Sequence, residues 1–243
     1  MADARQSVLS VGASFEGVRR RVEESAAASG RARGEVTLIA VSKTHPAALL
    51  REAYAAGARD FGENRVQEAE GKIDELGRGE ARDLRWHLIG HLQSNKARRA
   101  VKLFDLIHSV DSAALATRLE RLCAEEGRER LDVLVQVDLA GEATKEGARE
   151  SELPAVAGAL GACQRLRFCG LMTLPPFFDD AERARPFFRR LRELRDELHA
   201  RGAFGDRPGE LSMGMSHDFH VAVEEGATMV RVGTAIFGER ARH

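Results

Sequence analysis

A chain of 243 residues with 43% apolar side chains is long enough to bury one sizeable core and short for two, so residues 1–243 are expected to form a single domain. Its 37 basic and 38 acidic residues leave a formal charge of −1, which excludes recruitment to nucleic acid or an anionic membrane by bulk charge. No apolar run is long enough to span a bilayer, no leader-like segment is evident, and three cysteines without a C-x-x-C pair exclude a disulfide framework; a cytoplasmic protein is expected.

In chain order, residues 5–29 carry Val8, Val11, Phe15, Val18 and Val22 at three- and four-residue steps, which predicts an amphipathic helix stopped by Gly30. Residues 37–43, TLIAVSK, form the short apolar run expected of a parallel strand buried on both faces. Thr44 and Pro46 open a helix with an apolar stripe of Leu49, Leu50, Ala53 and Tyr54, and Gly57 closes it. The alternation recurs, with strands predicted near residues 60–64, 85–90, 106–111, 131–139, 166–174, 210–216 and 229–234. Eight strands about 27 residues apart favour a closed α/β (β/α)8 TIM barrel with an extra N-terminal helix over an open doubly wound sheet. Between residues 180 and 201, Arg189, Arg190, Arg192 and Arg195 mix with Glu193, Asp196 and Glu197 above an apolar stripe. That mixture reads as the solvated face of an outer helix rather than a nucleic-acid patch.

Barrels place their sites at the C-terminal ends of the strands. Alternation puts Ile39, Val41 and Lys43 on one face of the first strand; if that face is interior, the Lys43 ammonium sits at the mouth, where desolvation favours the nucleophilic free amine. An outward, snorkelling lysine fits that strand equally well. In the last strand, Arg231 alternates with Val230 and Val232, and an interior guanidinium needs an acceptor. The acceptor is either a carboxylate such as Asp138 or Glu63, or part of a ligand. The seventh strand ends in Ser212, Gly214 and Ser216 and the eighth in Gly233 and Thr234, small and hydroxyl residues where many barrels bind phosphate. Helix capping explains Ser216 and Thr234 taken singly; the conjunction carries the signal. A nucleophilic lysine, a phosphate cup and an interior arginine suit a phosphorylated aldehyde, and pyridoxal 5′-phosphate meets all three requirements. Because a guanidinium keeps its proton, Arg231 would leave the ring nitrogen unprotonated and the ring a poorer electron sink.

Six segments occur in order: LIAVSKTHP (38–46), FGENRVQE (61–68), WHLIGHLQSNK (86–96), GLMTLPP (170–176), LSMGMSHDF (211–219) and VRVGTAIFGER (230–240). Through them the chain resembles the pyridoxal phosphate homeostasis protein family, built on the barrel of the alanine racemase N-terminal domain. The resemblance implies that Lys43 forms the internal aldimine, that Arg231 faces the pyridine nitrogen, and that Ser212, Ser216, Gly233 and Thr234 bind the phosphate. It also sets Asn64 beside the cofactor, although Asn64 reads equally as a cap of the next helix. His87 and Asn95 belong to the same segments without a derivable role. His87 and His91 are spaced like ligands on a helix but fall on a strand and its turn, and His217 and His220 lack a third partner, so no metal is expected.

Two functions of different class follow, a non-catalytic carrier that delivers pyridoxal phosphate to apo forms of enzymes dependent on it, and an amino-acid racemase. Racemisation needs proton donors on both faces of a carbanion, one of which the alanine racemases take from a tyrosine in a second domain. Here Tyr54, the single tyrosine, falls in the helix after the first strand, and no second domain is expected. The carrier, as a monomer, is the reading this favours.

Overall fold

The alternation of apolar strands and amphipathic helices resolves, in a computed structural model that describes residues 10–76, 83–141 and 146–239, into one closed parallel barrel. The strands are β1 (Thr37–Val41), β2 (Asp60–Glu63), β3 (Arg85–Leu88), β4 (Leu106–Val110), β5 (Leu131–Asp138), β6 (Ala148–Arg149), β7 (Leu166–Met172), β8 (Glu210–Met215) and β9 (Met229–Val232). They are ordered β4-β3-β2-β1-β9-β8-β7-β5, and the β4–β5 pairing closes the ring. All eight expected strands are present. The two-residue β6, which the sequence did not signal, pairs with the end of β5, Val137 opposite Ala148.

Around the barrel lie α1 (Val11–Ala28), α2 (Ala47–Ala55), α3 (Val66–Leu76), α4 (Ala97–Leu103), α5 (Ala113–Glu125), α6 (Leu153–Gly161), α7 (Arg185–Ala200), and the short α8 (Phe219–Glu224) and α9 (Thr234–Phe237). Helix α1 starts where the Ser10 hydroxyl accepts the Ala13 N–H at 3.2 Å. It ends at left-handed Gly30, whose N–H reaches Ala27 O at 3.0 Å. The expected start at Arg5 lies outside the described residues. Its buried face, Phe15, Val18, Val22 and Ala26, packs on α2, α8 and α9. Among the described residues β9 is followed only by the four-residue α9, and α1 takes the place of the eighth outer helix. The N-terminal helix is thus part of the barrel's shell.

Strand alternation separates two interiors. Leu38, Ala40, Phe61, Leu88, Val133, Leu211, Val230 and Val232 face the helices in the main core, whereas Leu106, Leu134, Cys169 and Met172 form a smaller cluster. The three cysteines are free thiols, as their spacing predicts, and burial pushes Cys123 and Cys163 up to about 11 and Cys169 up to about 12. On α7, Phe188, Leu191, Leu194 and Leu198 are buried, while Arg190 pairs with Glu150, Glu193 and Glu197, the charge-mixed outer face expected. No helix among the described residues is long and apolar enough to cross a membrane.

Two glycines test these packing assignments. Gly214 has φ +91°, and a Cβ there would lie 2.6 Å from Ala222 Cβ. Gly71, inside α3, would place a Cβ in open space. Urea unfolding should therefore show Gly71→Ala more stable than the parent by about 0.5–1 kcal/mol, and Gly214→Ala less stable by more than about 1 kcal/mol.

Candidate functional site

The C-terminal ends of the strands surround a cavity of about 410 Å³, within the roughly 300–1,000 Å³ usual for small-molecule sites. Val41 and Lys43 line it together, so the inward reading of the first strand holds and the outward lysine does not. Asn64 enters from the end of β2, Ser216 from the end of β8, and Gly233 and Thr234 from the turn between β9 and α9. Arg231 also lines the cavity and is 3% exposed.

Arg231 has no ion-pair partner among the described residues. Its Nη1 donates to Ser212 Oγ at 2.6 Å and its Nη2 to the Thr173 carbonyl at 2.9 Å. Neither carboxylate considered from the sequence answers it. Asp138 instead accepts the amides of Ala140 and Gly141, and Glu63 faces Lys72. Burial pulls the guanidinium down to about 10, with Asp218 opposing, which leaves it charged at neutral pH. Two of its five N–H groups are engaged, so the rest remain for the cavity.

Ser212 corrects an expectation. It is fully buried and does not line the cavity; its hydroxyl stands between Arg231 and His108 Nδ1, the latter at 2.9 Å. From there the chain continues from His108 Nε2 to His87 Nδ1 at 3.0 Å and from His87 Nε2 to Asp60 Oδ1 at 2.8 Å. Asp60 also meets Arg85 at 2.8 Å. Burial, then His87 and Arg231, hold His108 well below the usual imidazole range. Burial opposes ionisation of Asp60, but His87 and Arg85 outweigh it and keep its carboxyl below the ordinary value. Arg231 can only donate and an ionised Asp60 can only accept, so one set of tautomers satisfies both ends with every donor pointing the same way: Arg231 to Ser212, to His108, to His87, to Asp60. A permanent cation and a permanent acceptor thereby set the direction of the whole line across the barrel.

A second buried cluster sits behind Lys43. Ser42 Oγ donates to Glu63 Oε1 at 2.5 Å, and Lys72 Nζ reaches Ser42 O, Glu63 Oε1 and Glu68 Oε1 at 2.6–2.7 Å. Glu63 is wholly buried, and burial pushes its carboxyl above the usual range against the pull of Lys72. Glu68 also accepts the N–H of Thr44, a non-glycine residue at φ 67°. Such a conformation persists only where its surroundings hold it. The cluster grips the backbone on both sides of Lys43.

The remaining expectations divide. Asn64 makes no side-chain hydrogen bond among the described residues, so it does not cap α3, and Gly90 lets the Asn64 backbone approach where a Cβ would sit 2.5 Å from its carbonyl oxygen. Asp218, not Ser216, binds the turn before α8, accepting the Met215 N–H at 2.6 Å. Thr234 begins α9 after Gly233, with the first turn bond from Ile236 N–H to Gly233 O at 2.9 Å. His87 belongs to the line below Arg231, His217 meets the Asp179 carbonyl at 3.0 Å, and Asn95 is exposed. Sequence reasoning missed His108 and Asp60 in the line and His91, Gln136, Glu146 and Phe177 on the cavity wall. The signal for His87 was present: it sits between outward-facing Trp86 and Leu88.

Residues 20–241 match the family model of the alanine racemase N-terminal domain. The pyridoxal phosphate homeostasis protein of Pseudomonas aeruginosa is 47% identical over 225 residues, 92% of this chain and 93% of that protein. A solved structure of PipY from Synechococcus elongatus, with PLP bound, is 46% identical and superposes with a TM-score of 0.78 over 89% of this chain and 100% of that one. Alanine racemase from Corynebacterium glutamicum, 22% identical, shares the fold with a TM-score of 0.68 over 95% of this chain and 62% of the enzyme.

The two buried networks carry separate expectations. Folding lowers the proton affinity of His108, so acid favours the unfolded chain; stability is complete above pH about 6.5 and declines as pH falls below it. His108→Gln should flatten that decline between pH 6.5 and about 5 in urea midpoints measured against pH. Lys72→Met leaves Glu63 buried without its cation and should cost about 3–5 kcal/mol in urea unfolding, whereas adding Glu63→Gln should recover part of the loss.

Proposed function

Since the chain belongs to the alanine racemase N-terminal domain family and, within it, to the pyridoxal phosphate homeostasis proteins, we propose that it binds and delivers pyridoxal 5′-phosphate, as a monomeric cytoplasmic carrier. The single observation that carries this is one cavity lined at once by Lys43, by a buried arginine, and by Ser216, Gly233 and Thr234. The donor set fits the cofactor: an amine for its aldehyde, hydroxyls and the first amides of a helical turn for its phosphate, and a guanidinium for its ring nitrogen.

In this reading pyridoxal phosphate supplies an aldehyde that condenses reversibly with amines; the protein supplies everything else. Lys43 is the covalent anchor, aimed by the Glu63–Lys72–Glu68 cluster behind it. Ser216, Gly233 and Thr234 hold the phosphate and Asn64 lies against the anchor's side of the cavity. Arg231 donates to the ring nitrogen without surrendering a proton, which withholds the electron demand that amino-acid chemistry requires. Ser212 stands behind Arg231 as a positioning residue. Holding and release then suit this site better than turnover, and the recipients are apo forms of enzymes that use the cofactor. The domain that does this spans the whole chain.

The purified protein should absorb in the visible range, and borohydride should bleach the band and leave the cofactor's mass on Lys43 alone. Lys43→Ala should abolish both, and Arg231→Glu should shift the band or weaken binding by more than about tenfold, a loss of over 1.4 kcal/mol. Loaded protein should restore activity to an apoenzyme without racemising amino acids itself. A colourless protein after incubation with pyridoxal phosphate overturns the reading, and racemisation abolished by Lys43→Ala replaces the carrier with an enzyme.

A further inference from the structure

A larger cavity, about 720 Å³, opens beside the first, between the loop after β3 and the face of α5. His91 lines both. Its wall carries Ser94, Arg118 and Arg121, with Asp111 as the opposing charge. Arg118 makes no hydrogen bond or ion pair among the described residues, and its Nε is buried without a partner. The Nε lies too deep to touch a ligand, but the rest of this guanidinium lines the cavity with no protein acceptor among the described residues, which leaves its donors for an anion there. Asp111 does not supply it. Its Oδ1 accepts the Ser112 hydroxyl at 3.0 Å, and its Oδ2 lies 3.7 Å from His91 Nδ1. Arg121 lies 3.6 Å from Glu125, which Arg98 also binds.

We infer that this cavity is a second ligand site, for a phosphate monoester. A phosphate dianion offers several acceptor oxygens to the donors that line this one cavity, from two arginines, a serine and a histidine. The volume far exceeds what a bare ion fills, and Leu92 and Leu115 line part of it, which suits an organic body attached to the phosphate. The site stands on its own residues; one arm of its test uses the occupancy of Lys43 proposed above.

That test is equilibrium dialysis of inorganic phosphate, at constant ionic strength in chloride, against protein whose first cavity is blocked by pyridoxal phosphate reduced onto Lys43. Blocked protein should retain one phosphate equivalent. Arg118→Met, which keeps the apolar stem, should weaken it at least tenfold, and Arg118→Lys should weaken it less, with thermal unfolding confirming that both variants fold. Pyridoxine 5′-phosphate, which has no aldehyde, should displace the phosphate, whereas pyridoxine should not. No retention by blocked protein overturns the site, as does equal retention by Arg118→Met. Phosphate that pyridoxine 5′-phosphate cannot displace overturns the monoester. If Lys43 never accepts the cofactor, the carrier reading fails by itself, and unblocked protein compared with Arg118→Met still decides whether one phosphate equivalent depends on this arginine.

Discussion

A guanidinium buried in a parallel barrel without a carboxylate is the constraint around which this interior is arranged. Arg231 cannot shed its charge to escape the cost of desolvation, and a direct ion pair would have spent the donors that line the cavity. The structure instead satisfies two N–H groups with neutral oxygens, Ser212 Oγ and Thr173 O, and leads polarity away through His108 and His87 to Asp60. Negative charge is thus present, but several side chains away from the cation. The remaining donors stay directed at the cavity and keep their cationic character there.

The second network works on the backbone. Lys43 lies two residues past β1, and the residue after it, Thr44, takes a left-handed conformation that nothing in the intrinsic preference of threonine supports. Glu68 and Lys72 on α3 hold Thr44 N–H and Ser42 O, so the helix after β2 aims the side chain at the end of β1. Glu63 completes the cluster at the cost of a buried carboxylate with one unpartnered oxygen. Paired charges here act through placement, since a buried ion pair is a weak source of net stability.

How much of this could be read from residues alone depended on the range of the interactions. Period-two alternation along a single strand put Val41 and Lys43 on one face and set Arg231 opposite its flanking valines, but which face of the first strand is interior was decided only by the closed barrel. The acceptors of Arg231 depend on how strands far apart in sequence fall into register across the lumen. Asp138 and Glu63 were plausible by type and are elsewhere in fact. The same register carries Ser212 beneath the cavity while Ser216, four residues on, lines it. Strand β6 had no signal because two residues have no period, and α1 looked like an addition because the shortness of α9 leaves its vacancy only in three dimensions.

That substitution of α1 for an eighth outer helix ties the order of synthesis to the order of folding. The helix that packs on α9 lies roughly 200 residues earlier in the chain. Emerging α1 meets α2 soon after it is made, but the part of its apolar face that packs on α8 and α9 waits for a loop of roughly 200 residues to close. The barrel cannot be sealed progressively from one end to the other. The seam between α1 and the α8–α9 pair closes late, so α1 is the segment for which a chaperone and a misfolded neighbour would compete.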